Sequence, residues 1–451
     1  MSRALIVCLL AGVAPSAMAQ SVTFTPLAPA PAPYSGTTQV TAIAGNGSRV
    51  AGNAETATGT FVRAVSWNAD GTFAGGAPAV IPGEVSFGAA LDQNGDVLFG
   101  TRWLPFGPTF IERPFRYNIA SGSFTVFATS LGGNTTAMEL NDVNASGTLA
   151  LITRTDPATG LNDAIRVDVL TSAVTALGSD QRNGFALNAA GDVAVGELAD
   201  SNFRGWRFAV GAPAVDQNTC EFSNDQLCQT QVGTPLPRNA DARAVSAEGN
   251  WIGGAALVGD GYGNGFDVPY ATNGTDLFVA SIDGCGYGGG ATLDISSESA
   301  VGGPVVVGRF GCNNQPQAFF WTAADGLVNL QNYLSDAGLD LSNWFLTEAT
   351  AVSDDGLTIA GNGFFGGQFR SWVATRVPAG AACDDIDFNN NGVFPEDQDV
   401  VDFFEVLAGG SPGTCDPVEG CNDIDFNNND VFPEDQDVID FFEVLAGGEC
   451  P

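Results

Sequence analysis

The sequence predicts a mainly β protein, a ring of seven repeated sheet units followed by a small helical tail. Three observations predict it. A strand–turn–strand pattern recurs seven times between residues 40 and 376. Glycine is abundant, with 58 residues, and charged residues make up only 15% of the chain, a composition suited to strands and turns. Near the C-terminus, Cys383–Gly410 recurs as Cys421–Gly448 with a period of 38 residues, and each copy ends in an amphipathic stretch.

Taken in order, the chain opens with Arg3, an apolar run from Ala4 to Ala14 and the small-x-small triplet Ala17-Met18-Ala19. These read as a secretory signal peptide over residues 1–19. The run is shorter than a membrane span. The expected localisation is therefore secreted, extracellular or cell-surface, without membrane insertion. Residues 20–39 hold Val22-Thr23-Phe24-Thr25, a candidate strand closing the ring against the last unit, and the Pro/Ala-rich spacer Pro26–Pro33.

The seven repeats follow. A short apolar strand enters a turn such as Asn188-Ala189-Ala190-Gly191 or Ser353-Asp354-Asp355-Gly356, and a second strand leaves it and reaches a glycine. After a variable loop comes a strand bearing Trp or Phe, as at Trp206-Arg207-Phe208. Asn, Asp and Ser bond the local backbone in such turns and Gly takes the positive φ. The sixth copy, around Asp294-Ile295-Ser296, is degenerate. One unit cannot cover both faces of its own sheet, so the units must stack, and their spacing fits one propeller blade each. Leu330-Gln331-Asn332-Tyr333-Leu334 is the helix-like piece of this body, and residues 377–382 form a linker.

The repeats, best preserved at Ala318-Phe319-Phe320-Trp321 and Ala351–Gly361, resemble the bacterial extracellular HAF-type repeat, named for a His-Ala-Phe signature. The resemblance covers residues 40–376 and implies a propeller-like fold with no defined activity. The signature histidine is missing, since the chain contains none.

Charge and cysteines narrow the function. The chain has 16 basic and 51 acidic residues, a net charge of −35. From Cys383 onward there are 19 acidic residues and no basic ones, leaving 51 − 19 = 32 acidic against 16 basic before it. Nucleic acid is a poor partner for such a chain and divalent cations are good ones. Eight cysteines remain after the signal peptide, as expected of disulfides in an exported protein. Neighbours in sequence suggest Cys220–Cys228, Cys285–Cys312, Cys383–Cys415 and Cys421–Cys450.

The tail, residues 383–451, carries the sharpest chemical signal. Asp387, Asn389 and Asn391 in the first copy, and Asp425, Asn427 and Asn429 in the second, place oxygens at alternate positions. A curled loop turns such positions toward a hard cation needing six to eight oxygens. Gly392 sits at the sharp turn of the first loop, Asp430 at that of the second, and Val393 and Val431 follow where a carbonyl ligates. The helices, with Val400, Phe403, Phe404 and Leu407 and then Val438, Phe441, Phe442 and Leu445, each present one apolar face. Packed face to face they would bury four phenylalanines.

This loop-then-helix arrangement resembles the dockerin repeat, an EF-hand-like unit. The resemblance implies calcium as the ion and a cohesin-like protein as partner. The position of the dockerin closing acid is here Gln398 or Gln436, so Asp399 and Asp437 are expected as closing ligands, one residue later, with Glu396 or Asp397 as alternatives.

Without histidine there is no Ser-His-Asp or Cys-His nucleophile system. Glu139, Glu197, Asp294 and Glu348 lie near repeat strands as channel-lining or merely surface carboxylates. The expected function is that of a secreted, non-catalytic binding or surface protein: a scaffold taking a glycan or protein ligand, with a calcium-binding attachment module. The alternative is an extracellular carbohydrate-active enzyme, a polysaccharide hydrolase or lyase, carrying a docking tail.

Overall fold

The structure, a computed structural model, describes residues 22–56, 59, 62–78, 83–106, 109–128, 137–155, 159–177, 182–198, 204–210, 228–229, 235–236, 240–259, 265–280, 288–300, 302–312, 315–376, 386–394, 396–415, 420–422, 424, 426 and 435–446. The signal peptide, the 377–382 linker, and Asp425, Asn427, Asn429 and Val431 lie outside the described residues. Val22–Arg376 forms one compact unit and the described residues after it a second.

The first unit is a seven-bladed β-propeller, with seven antiparallel blade sheets following one another along the chain and a separate two-stranded ladder, Cys228–Gln229 with Pro235–Leu236, between blades four and five in sequence. Blade one is Thr38–Ile43, Arg49–Glu55, Val62–Asn68 and Phe73–Gly76, in that spatial order. Blades two, three, five and six are built the same way, beginning at Val85, Met138, Ala244 and Gly288. Blade four has three described strands, Arg182–Leu187, Val193–Leu198 and Arg204–Ala209. Helix α1 (Leu330–Asp336), capped by the Asn329 side chain, leads from blade six to blade seven.

The repeat pattern has a local physical cause. In blade three the Asn144 carboxamide accepts from the Thr148 and Leu149 amides, which fixes the turn between the first two strands. Gly147 has φ 64° there, and a Cβ on it would lie 2.9 Å from the Phe99 ring of blade two. The second glycine of each motif has a different task. Gly196 pairs with Trp206 opposite a bulge in the first strand, and a Cβ would meet the Asn183 carbonyl at 1.9 Å and the Trp206 indole at 2.7 Å. Gly100 with Phe115 and Gly361 with Trp372 repeat that arrangement. Glycine therefore lets the third-strand aromatic lie flat across the second strand. Trp206, Phe115 and Trp372 are all fully buried.

Stacking supplies the core. Each of the seven blade interfaces has its own apolar cluster, such as Trp67, Val50 and Val373 between blades one and seven, or Phe99, Leu140 and Ile152 between two and three.

Two devices close the ring. Thr23–Pro26 pairs antiparallel with Gln368–Thr375 as the outermost strand of blade seven, Thr23 opposite Thr375 and Pro26 opposite Trp372. Phe24 packs edge-on against Trp344 at 5.1 Å. The second device is a belt of backbone hydrogen bonds running from blade to blade at the first turn. Asn46 N–H donates to Gln93 O, Gln93 N–H to Ala145 O, Ala145 N–H to Ala189 O and Ala189 N–H to Ala247 O. Ser297 N–H donates to Asp354 O, and Asp354 N–H donates to Gly45 O. At the remaining interface carboxylates take over: Glu248 accepts from the Glu298 amide at 2.9 Å, and Glu298 accepts from the Ser246 hydroxyl at 2.7 Å.

The tail holds helices α2 (Asp397–Leu407) and α3 (Asp435–Leu445). Its core is Phe388, Phe403, Phe426 and Phe441, all fully buried. Phe403 and Phe441 stack face to face at 4.4 Å, while Phe388 and Phe426 meet them edge-on at 5.3 and 5.2 Å. The expectation that Phe404 and Phe442 complete the core is corrected: they are about 40% exposed, and the loop residues Phe388 and Phe426 take their places. The disulfide in the tail is Cys415–Cys421, which replaces the expected Cys383–Cys415 and Cys421–Cys450 pairs. The sulfurs of the other cysteines lie outside the described residues. No helix among the described residues is long and apolar enough to cross a membrane.

Candidate functional site

The first tail loop curls as its alternating sequence demands. Asp387 accepts from the Asn391 amide at 3.0 Å with one carboxylate oxygen and from the Gly392 amide at 2.7 Å with the other. The Asn389 side-chain carbonyl also accepts from Asn391 N–H, at 3.2 Å. Gly392 has φ 78° and Asn390 has φ 56°, which asparagine tolerates. Alternation sends Phe388 into the core and leaves Asp387 and Asn389 on the loop's concave side, 6% and 0% exposed.

The helix delivers the closing group. Asp399 is the third residue of α2, and its Oδ2 accepts from the Glu396 amide at 3.1 Å in a capping box. Its other oxygen, Oδ1, is buried without a hydrogen-bond partner. Burial raises the Asp399 pKa above the ordinary carboxylate value, against the pull of the Glu396 amide and of the Asn389 amide, whose geometry falls short of a hydrogen bond to Oδ1, and the charges of Asp387 and Glu396 add to the rise. Of the alternatives, Asp397 is exposed, Gln398 donates to Asp402, and Glu396 accepts from the Asn391 amide group.

The structure thus brings Asp387, Asn389 and Asp399 together and leaves Asn391 and Val393 at the exposed rim. A buried carboxylate oxygen with no donor, beside a second carboxylate, is a donor set suited to a hard cation. Among the described residues no group of three His, Cys, Asp or Glu is placed to hold a metal. The first loop contributes two such acids, the rest of its expected oxygens being amide and backbone carbonyls. In the second copy Asp437 is fully buried on α3, like Asp399 on α2.

No family model matches the chain, and no curated protein matches it. Among solved structures, the β-propeller domain of the trilobed protease from Pyrococcus furiosus aligns with TM-score 0.48 and 9% identity, over 76% of this chain and 96% of that one. An oligogalacturonate lyase from Vibrio parahaemolyticus aligns with TM-score 0.46 and 9% identity, over 80% and 98%. TolB from Acinetobacter baumannii gives 0.40 and 13%, over 74% and 65%. Likenesses this distant carry no chemistry, and the seven-bladed ring rests on the strand pairing described above.

The propeller channel is the second place where polar groups converge. At the belt it holds a cavity of about 190 Å3 bordered by Asp142, Arg243, Asp294, Gln93 and Asp354. Asp142 accepts from its own neighbour Val143 at 2.8 Å and from Leu187 of blade four at 2.7 Å. Asp294 repeats this with Ile295 and with Val352 of blade seven, both at 2.9 Å. Burial pushes both carboxyls up to about 7, against the pull of those amides. Arg243 is paired with Asp241 at 2.6 Å.

Of the four carboxylates singled out in the sequence, only Asp294 borders this cavity. Glu197 accepts from Asn183, and Glu348 accepts from Asn362 and pairs with Arg309. Glu139 is exposed. Asp142 escaped sequence reading, although a signal was present: Asp142 and Asp294 stand where other repeats have Ala42, Ala90, Ala186, Ala244 and Ala351.

Proposed function

We propose that this is a secreted, non-catalytic binding or surface protein. In this reading the propeller is the scaffold, and the tail is a calcium-binding, dockerin-like module that attaches the chain to a protein partner of the cohesin kind. The observation that carries the calcium reading is the buried, undonated Oδ1 of Asp399 beside Asp387 and Asn389. Asp387, Asn389, Asn391, the Val393 carbonyl and Asp399 would hold the ion in the first loop, and Asp425, Asn427, Asn429, Val431 and Asp437 in the second. A bound calcium would supply positive charge to a pocket of carboxylates that otherwise repel one another.

The partner reading is supported by the outer face of the helices. Val401 and Phe404 on α2, and Ile439 and Phe442 on α3, are each 40–54% exposed and occupy equivalent positions of the duplicated unit. An apolar face doubled by the repeat suits protein docking better than solvent. The non-catalytic reading is supported by Asp294, Glu197 and Glu348, whose carboxylates are engaged by structural donors of their own or the neighbouring blade.

Calorimetric titration of the full-length protein with calcium tests the proposal. Binding heat with a gain in helical circular dichroism is expected. Absence of both removes the calcium module.

A further inference from the structure

The segment closed by Cys415–Cys421 meets the first loop at one end directly and at the other through Asp402 of α2. At one end the Thr414 hydroxyl donates to Asp402 Oδ2 at 2.7 Å, and that same oxygen accepts from the Asn389 amide group at 2.9 Å. Asp402 is fully buried on α2, and its other oxygen accepts from Gln398 at 2.7 Å. At the other end Asn390 donates to the Gly420 carbonyl at 3.1 Å and to the Asn422 side chain at 3.0 Å. The Asn422 amide returns a hydrogen bond to the Phe388 carbonyl at 2.9 Å. Asn389 and Asn390 are therefore each held from a different side of one disulfide.

We infer that the start of the second repeat, tied by Cys415–Cys421, is a positioning clamp for the first calcium loop, so that the first site is complete only in the tandem. Asn390 and Asp402 are its positioning residues. Asn390 touches no expected ligand atom. Its side chain holds the loop at the point where the backbone turns through positive φ, between Asn389 and Asn391. Asp402 orients Asn389 by accepting from its amide group while Gln398 and Thr414 hold the carboxylate itself in place. This is the logic by which outer partners orient the groups that touch a metal, and loss of such partners typically weakens binding by about 10–100-fold. It also gives the second repeat, whose loop has Asp430 in place of Gly392, a role independent of its own ion.

The inference rests on the calcium reading, and the test separates the two. Three full-length proteins are titrated with calcium: the wild type, Asn390→Gly, and Cys415→Ser with Cys421→Ser. Glycine at 390 takes the positive φ without strain and removes the side-chain donor, at the cost of a looser backbone. The expected result is a Kd raised about tenfold in both variants. Without calcium, amide exchange at Asn391 and Gly392 should be faster, while at saturating calcium it returns to the wild-type rate. A purely structural defect would leave exchange fast at saturation. If the double serine variant loses its helical signal, Asn390→Gly decides. A Kd within twofold of wild type in Asn390→Gly overturns the clamp and leaves the calcium reading standing. No binding by the wild type overturns both.

Discussion

Gln93 of blade two reaches over blade one to Asp354 of blade seven, Nε2 to Oδ2 at 2.8 Å. The bridge passes directly above Gly45, where a Cβ would lie 2.4 Å from the Gln93 side-chain oxygen and 2.6 Å from Asp354 Oδ2. Blade one is thus overarched at the seam where the ring closes. The belt bonds from Asn46 to Gln93 and from Asp354 to Gly45 run along the same path. Closure here does not rest on the N-terminal strand alone.

Gly45→Ala should therefore break the bridge, at a cost of about 1–3 kcal/mol from overpacking. Urea unfolding of the propeller measures it. Gln93→Ala should lose less, since it removes one hydrogen bond and creates no clash. Equal stability of Gly45→Ala and wild type would show that the seam tolerates a methyl group.

Channel acidity predicts a pH dependence. The folded-state values of Asp142 and Asp294, raised to about 7, exceed the ordinary 3.8, so between those values the folded state binds more protons than the unfolded one. Their contribution to stability is then full below the ordinary value and lost as pH rises through 7. Arg243 and Asp354 border the same cavity, of opposite and like charge. Tm should rise between pH 8 and pH 6, and the rise should shrink in Asp142→Asn with Asp294→Asn. A slope unchanged in the double variant would place the titrating groups elsewhere.

Adjacent phenylalanines in α2 should behave oppositely. Phe403, stacked on Phe441 and fully buried, should cost about 3–5 kcal/mol on replacement by alanine and melt the tail's helices. Phe404, 43% exposed, should cost under about 1 kcal/mol. Circular dichroism at 222 nm during denaturant unfolding reads both.

Much of the propeller was legible because each turn depends on one or two residues. The turn glycines and the Asn, Asp or Ser before them mark every well-kept blade, and Val22–Thr25 reads as a strand with nothing local to pair with. What the second glycine does was not legible, because its partner is a carbonyl on another strand close to a bulge, as Asn183 is for Gly196. In the tail, i, i+3, i+4 spacing defines an apolar face without saying what covers it. Phe388 and Phe426 come from the loops and displace Phe404 and Phe442 to the surface. The tail pairing was misassigned because each repeat was closed on itself, whereas Cys415 and Cys421, six residues apart, pair across the boundary between the repeats. The significance of Asp142 needed the structure, because only the neighbouring blade shows that its second acceptor is filled by Leu187.

The most direct measurement compares calcium titrations of the full-length wild type, Asp399→Asn and Asp397→Asn. The account predicts that Asp399→Asn weakens calcium binding by at least tenfold and abolishes the helical gain, while Asp397→Asn, altering an exposed carboxylate, stays within about threefold of wild type. Binding by Asp399→Asn as tight as wild type would contradict it.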